Sequence, residues 1–282
     1  MYKSYQNSKY IISMIPFEND YIFKKWGIRS ILMNNFVTYE YQYVIPSDLS
    51  KKIILMIGRS NDKIKRLELG LLSMEYIIKE VPEIEMKIIS NITYNYNLVN
   101  IVNDLNLQNQ VKFVGYTSTP EIYYRNSLLH IFPTISESFG LVLSETKIYG
   151  IPTILVGLDY VSISKGGTLI IYDDKPESIS KVAINILKYE QYKKKLGKEG
   201  RISMQKFQNN LLLKKWIKLL LSIYKGDEYY IELRKKDINI LDNEALNILV
   251  NQIKMLKLRI EDFKNITIND FQNFSLLQNF KI

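Results

Sequence analysis

The sequence predicts a doubly wound α/β domain, a parallel sheet with helices on both faces. Three observations carry that prediction. From residue 52 onward, short apolar runs alternate with longer amphipathic stretches about six times. The runs are apolar throughout instead of alternating, as strands covered on both faces should be. The turns after several of them hold glycine, hydroxyl and charged side chains, at the strand ends where a sheet of this kind presents its ligand crevice.

Taken in order, "IILMIG" (53–58) is a buried strand ending in glycine, and "KRLELGLLSMEYIIKEV" repeats its apolar positions at helical spacing. "MKIIS" (86–90) is the second strand, followed by the helical "LVNIVNDLNL". "VKFVG" (111–115) precedes a helix begun at Pro120, whose missing N–H costs nothing at a first helical position. "LLHIFP" (128–133) leads to a loop over Thr134–Ser138 and a helix expected from Phe139 to about Tyr149, stopped by Gly150-Ile151-Pro152. "TILVG" (153–157) and "TLIIY" (168–172) are the last two strands, and "KPESISKVAINIL" is the helix after them.

Residues 1–48 do not begin such a domain. "KYIISMIP", "ENDYIFKKWGI" and "SILMNNFV" read as strand, helix, strand, too little to close a sheet, with a linker around "YVIPSDLSKK". The sequence thus divides into a remnant of an earlier domain (1–48), the α/β domain (49–225) and a mainly helical extension (226–282).

With 282 residues, 46% of them apolar, the chain holds one large domain or one and a half ordinary ones. It has no cysteine, which excludes disulfides and cysteine-based metal or nucleophile chemistry. The polar start "MYKSYQNSKY" lacks a signal peptide's apolar core, and no apolar run approaches the ~20 residues of a bilayer span. A cytoplasmic protein is expected. The 21 tyrosines, with abundant Ile, Lys and Asn, are explained by an AT-rich genome. The net charge of +9 is uneven: residues 181–225 carry twelve Lys or Arg against Glu190 and Glu199. That stretch can be the solvated face of two helices, or can meet anionic lipid headgroups. Nucleic acid is not expected, since no aromatic-and-basic recognition motif accompanies the charge.

Chemistry concentrates at three strand ends. Gly58 permits a tight turn that aims Arg59 at the crevice, and Lys63, Lys65 and Arg66 follow, a cationic group suited to a diphosphate. Gly115 lets the backbone approach a flat ligand and Tyr116 can stack on it; the pair equally serves as a plain strand-to-helix turn. In "SESFGLVLSE" (136–145), two carboxylates, Glu137 and Glu145, enclose seven residues without charge. The backbone N–H groups near Ser138 to Leu141 point, unsatisfied, into the crevice. Glu145 lies among Leu141, Val142, Leu143 and Ile148, so a buried carboxylate there needs donors, and sugar or ribose hydroxyls are suitable ones. A solvated glutamate on an amphipathic helix is the plainer alternative. Asp173-Asp174 suits a strand-end turn better than a metal, with no third ligand in view. His130, inside an apolar strand, reads as a core residue. The tripeptides at Asn91, Asn265 and Asn273 match the glycosylation pattern, but no secretory signal supports them.

The order "GRSNDKIKR", "VKFVGY", "FPTISESFGLVLSETKIYGIPTILV" resembles the donor-binding half of family 4 glycosyltransferases (glycosyl transferases group 1), which have the GT-B fold. The resemblance covers roughly residues 50 to 225, and its most specific element is the glutamate pair followed by Gly-x-Pro. It implies a Rossmann-like donor domain that binds a nucleotide diphosphate sugar and transfers a hexosyl unit to a hydroxyl acceptor with retention. No metal or other cofactor is implied, because side-chain cations and helix N–H groups neutralise the leaving diphosphate. Carried over, Arg59 and Lys65, with Lys63 as substitute, would hold the diphosphate and Gly115 and Tyr116 would lie along the base. Glu137 would hold the donor sugar, the backbone of Phe139, Gly140 and Leu141 would face sugar and phosphates, and Glu145 would take the ribose hydroxyls. Family members have an amino-terminal acceptor domain of similar size, here represented only by residues 1 to about 48. A partner chain supplying that half, a donor-binding subunit without catalysis, and a GT-B sugar-nucleotide epimerase are therefore the alternatives.

Overall fold

The apolar runs form strands as their composition dictates. A computed structural model describes residues 8, 10–26, 28, 30–91, 96–158 and 161–226; the extension expected at 226–282 lies, from residue 227 on, outside them. The chain divides into two compact units, residues 36–212 and residues 1–35 with those from 213 on.

In the smaller unit, strand β1 (Ile12–Ser13), helix α1 (Pro16–Trp26) and strand β2 (Ile31–Leu32) follow in turn, and the two strands pair in parallel. This is the strand–helix–strand that the sequence predicts, though far less of "SILMNNFV" enters the ladder than its length suggests. Ile31 and Met33 pack with Leu219, Trp216 and Ile223. Ser13, Asn19 and Ser30 form a buried polar chain of side-chain hydrogen bonds beside them.

The larger unit holds β3 (Ile53–Ile57), α2 (Leu67–Glu80), β4 (Glu85–Ile89), α3 (Tyr96–Asp104), β5 (Val111–Phe113), α4 (Glu121–Tyr124), β6 (Leu129–Phe132), α5 (Leu141–Ile148), β7 (Thr153–Val156), β8 (Thr168–Ile171), α6 (Pro176–Lys188) and α7 (Glu190–Ser203). Helix α8 (Asn209–Lys225) starts in it and ends in the other unit. The strands form one parallel sheet in the order β5-β4-β3-β6-β7-β8. Ile54, Leu55, Met56, Leu129 and Ile131 are fully buried in its centre, which is why those strands are apolar without alternation. Helix α2 lies so close on β3 that a Cβ at Gly70 would stand 2.1 Å from Met56 Sδ.

The strand order places the candidate site. The chain lays down β3, β4 and β5 outward in one direction, then returns to set β6 on the other side of β3. The connections after β3 and β6 therefore leave in opposite directions and open a crevice at their carboxyl ends, the topological switch point. Those connections carry Gly58–Arg66 and Pro133–Gly140.

Two boundaries differ from expectation. Helix α5 begins at Leu141 and not at Phe139, because Gly140 adopts φ +83°, ψ +69°, a left-handed conformation that ends the loop. Residues 36–48, grouped by the sequence with the first segment, make their hydrogen bonds inside the larger unit. The Ser47 amide donates to Tyr149 O (2.7 Å), the Asp48 amide to Arg125 O (3.0 Å), and the Val37 amide to Asn209 Oδ1 (2.9 Å).

Candidate active site

Two loops are sewn together at the switch point. The Ile135 amide donates to Ile64 O at 2.8 Å, and Thr134 Oγ1 donates to the same carbonyl at 3.0 Å. Arg66 completes the seam. It is the buried cap residue of α2, in left-handed geometry (φ +47°), and its Nε donates to Pro133 O at 2.7 Å while Nη1 reaches Asp174 Oδ1 at 2.5 Å. Arg66 thus ties three strand-end turns together and does not join the cations facing a ligand. Its partner belongs to the acidic pair at 173–174, which serves structure as the sequence suggests. The other member, Asp173, accepts from Ser178 Oγ in the first turn of α6, at 2.8 Å.

The seam brings Lys65 to Glu137. Lys65 Nζ donates to Glu137 Oε1, with both side chains only about one-fifth exposed. Lys65 also lies 5.8 Å from the Phe132 ring centroid, so apolar surface and a carboxylate hold the ammonium from two sides. Gly58 makes room for this: a Cβ there would come within 3.1 Å of Lys65 Cβ. Arg59 stands apart, 77% exposed, and pairs with Asp62 at 2.6 Å. Burial opposes ionisation of Asp62, but bonds from Arg59 and the Ile64 amide outweigh it and hold the carboxyl below its ordinary range. Lys63 is exposed on the same loop.

The second half of the site is the start of α5. Ser138 and Leu141 are exposed. Phe139 is 2% exposed and sets its ring edge-on against Phe207 (centroids 5.7 Å apart), which leaves its backbone as the available part. No side chain caps the first turn of α5, so its N–H groups stay available to an anion at the positive end of the helix. Beyond β5, Gly115 has φ +82° with open space around it, and Tyr116 is 86% exposed.

Glu145, in the second turn of α5, finds donors inside the protein. Thr38 Oγ1 donates to Oε1 at 2.6 Å and Tyr124 Oη to Oε2 at 2.5 Å. The buried Tyr124 ring packs on Tyr149 (5.1 Å) and Tyr39 (6.2 Å). Burial, then the charge of Glu145, pushes the Tyr124 phenol far above its ordinary value, so it remains a proton donor. Sequence reasoning anticipated that Glu145 needs donors and missed these two. Thr38 is 107 positions away with no local signal, while Tyr124 lies in "EIYY", the helix that follows the Gly115-Tyr116 turn.

Lys147 was missed as well. Fully buried in α5, it donates to the carbonyls of Ile163 and Lys165, the latter at 2.8 Å. Burial and the nearby Lys206 push its pKa down to about 7. Its position four residues beyond Leu143, on the inner face of the helix, was the readable signal. His130 is the core residue expected: fully buried, 3.4 Å from Thr153 Oγ1, and neutral, since burial drops its pKa to about 3.

Comparison with known proteins assigns the chain to a family. Residues 40–203 match the family model described as glycosyl transferases group 1. The chain belongs to that family. Among curated relatives, the poly(glycerol-phosphate) alpha-glucosyltransferase of Bacillus subtilis (strain 168) is 23% identical over 176 residues, 61% of this chain and 26% of that protein. Its solved neighbours are GT-B glycosyltransferases. An S. aureus TarM mutant, solved with Fondaparinux, alpha-GlcNAc-glycerol and UDP, superposes with TM-score 0.66 at 19% identity, over 77% of this chain and 45% of that one. Anabaena Alr3699/HepE, solved with UDP and glucose, gives TM-score 0.67 at 13% identity, over 78% and 64%. The chain thus spans about a quarter of the curated relative's length and roughly half to two-thirds of the solved ones. Its α/β fold, built on a six-stranded parallel sheet, is similar to that of these solved proteins. Among the described residues no helix is long and apolar enough to cross a membrane.

Proposed function

We propose that this group 1 glycosyltransferase binds a nucleotide diphosphate sugar at the switch point of its sheet and transfers a hexosyl unit to a hydroxyl acceptor, with retention and without a metal. The observation that carries the reading is the Lys65–Glu137 pair, a half-buried cation and carboxylate at the carboxyl ends of β3 and β6, beside the uncapped start of α5. An arriving diphosphate takes Lys65 as counter-ion, and Arg59 can swing from Asp62 to join it. Glu137 is then released to the hydroxyls of the donor sugar. As the anomeric C–O bond to the diphosphate breaks and the bond to the acceptor oxygen forms, charge builds on the departing phosphate, which takes up the proton of the acceptor hydroxyl. Fixed cations and helix N–H groups stabilise that charge most where water is excluded. The solved neighbours that carry UDP and sugars support a nucleotide-sugar donor for this fold.

Contact with an anionic membrane surface is part of the same proposal. The basic stretch 181–225 supports it, as does α8, where Leu213, Ile217, Leu220, Leu221 and Tyr224 are exposed along one side with Lys214 nearby.

The test is calorimetric titration with UDP, GDP and ADP and their glucose conjugates, with and without EDTA. Micromolar binding indifferent to EDTA, followed by release of the free nucleotide diphosphate when hydroxyl acceptors are supplied, is the expected result. Failure of every conjugate to bind would refute the reading, and binding abolished by EDTA would remove its metal-free part.

A further inference from the structure

Glu145 accepts from two hydroxyls that differ in almost every respect. Tyr124 is buried, its ring is wedged against Tyr39 and Tyr149, and its phenol stays protonated. Its bond to Oε2 holds that oxygen from the buried side. Thr38 is exposed and sits in irregular chain between β2 and the short 3-10 turn Tyr41–Tyr43. Its bond to Oε1 is made at the surface, where water competes for both partners.

We infer that Thr38 is a built-in competitor of the ligand at Glu145, occupying the oxygen that a ribose hydroxyl must take, while Tyr124 is the positioning residue that aims it. This rests on the donor reading given above. A carboxylate with one oxygen fixed by a phenol has its second oxygen as the acceptor for an incoming hydroxyl. Here that second oxygen is already bonded by a threonine hydroxyl at 2.6 Å, the same kind of donor that a ribose offers. A ribose hydroxyl arriving at Oε1 either displaces Thr38 or shares the oxygen with it, and in both cases the Thr38 bond lowers what the ligand gains. This competition makes Thr38 a determinant of affinity without any contact to the ligand, because both hydroxyls draw on one carboxylate oxygen. It also distinguishes ligands. One that lacks a hydroxyl for Glu145 has no reason to displace Thr38.

The experiment measures the affinity of UDP, GDP and ADP, and of the 2′,3′-dideoxy form of the tightest, for wild type, Thr38→Val, Thr38→Ser and Tyr124→Phe. Removing the competing hydroxyl should tighten binding of the ribonucleotide about three- to tenfold, the worth of one partly solvated bond to a charged group. Thr38→Ser should restore wild-type affinity, and the dideoxy form should be indifferent to Thr38→Val. Tyr124→Phe should weaken the ribonucleotide about fivefold or more, by the same reckoning. Thr38 is exposed, so its variants fold. Binding to wild type that is unchanged or weakened in Thr38→Val would overturn this inference alone and leave the donor reading intact. Binding seen only after Thr38→Val would support it strongly. Absence of binding in every variant would overturn the inference together with the reading beneath it.

Discussion

Lys65 and Glu137, 72 positions apart in sequence, form an ion pair at the mouth of the sheet, and neither is free to solvent. Each side chain offsets the charge of the other. The pair also sets a threshold: an anion replaces Glu137 at Lys65 only if it interacts more strongly, which a diphosphate with its greater charge does.

From this follows a ranking of the two cations. Lys65→Met should weaken binding of a nucleoside diphosphate by about tenfold or more, a loss of at least ~1.4 kcal/mol. Arg59→Ala should also cost about tenfold, in a more salt-sensitive way, because exposed charges are screened and half-buried ones much less so. Titrations at two salt concentrations check both effects. Unchanged affinity in Arg59→Ala would remove that residue from the site.

Gly140 holds the start of α5 at φ +83°. An alanine there meets Leu143 Cβ at 3.4 Å, so space is adequate and the backbone conformation is the obstacle. Gly140→Ala should destabilise the fold by about 1–2 kcal/mol, the usual cost of left-handed geometry for a residue with a Cβ. Denaturant unfolding measures that cost. The same variant should weaken nucleotide binding beyond what its stability explains, since the loop-to-helix junction moves.

Lys147 makes stability depend on pH in the alkaline direction. In the folded protein its pKa falls to about 7 from an ordinary 10.5, so burial disfavours the charged form. Below pH 7 the lysine is charged in both states and the fold bears the full penalty. Between about pH 7 and 10.5 the unfolded chain holds more protons, and folding stability gains up to ~1.4 kcal/mol per pH unit from this residue. Unfolding of wild type and Lys147→Met, compared at pH 7 and pH 9, should show the gain in wild type alone. Parallel pH profiles would mean that the two carbonyl bonds hold the ammonium charged.

Vesicles containing anionic lipid should retain the protein at low salt and release it when ionic strength is raised, whereas neutral vesicles should not retain it. Leu220→Glu with Tyr224→Glu on α8 should reduce retention further than either salt or charge predicts. Co-sedimentation makes the comparison, and equal behaviour on neutral and anionic vesicles would refute the electrostatic part.

The elements of this fold and the residue types of its candidate site were legible in the sequence because they depend on near neighbours. Unbroken apolar runs announce strands buried on both sides, a 3.6 period announces the helices between them, and glycine and proline mark where each stops. Glu137 and Glu145 stood out in the same way, as charges in an apolar segment. What each side chain touches was decided only by the tertiary structure. The order β5-β4-β3-β6-β7-β8 brings the loop after β3 against the loop after β6, and that step alone joins Lys65 to Glu137. It also takes Arg66 out of the cationic loop and spends it on Pro133 and Asp174, and it sets Thr38 and Tyr124 on Glu145. Periodicity reports which face of an element is buried, whereas the partner on that face is chosen by the path of the chain through the sheet. Those partners lie 21 to 108 positions apart in sequence, beyond any local pattern.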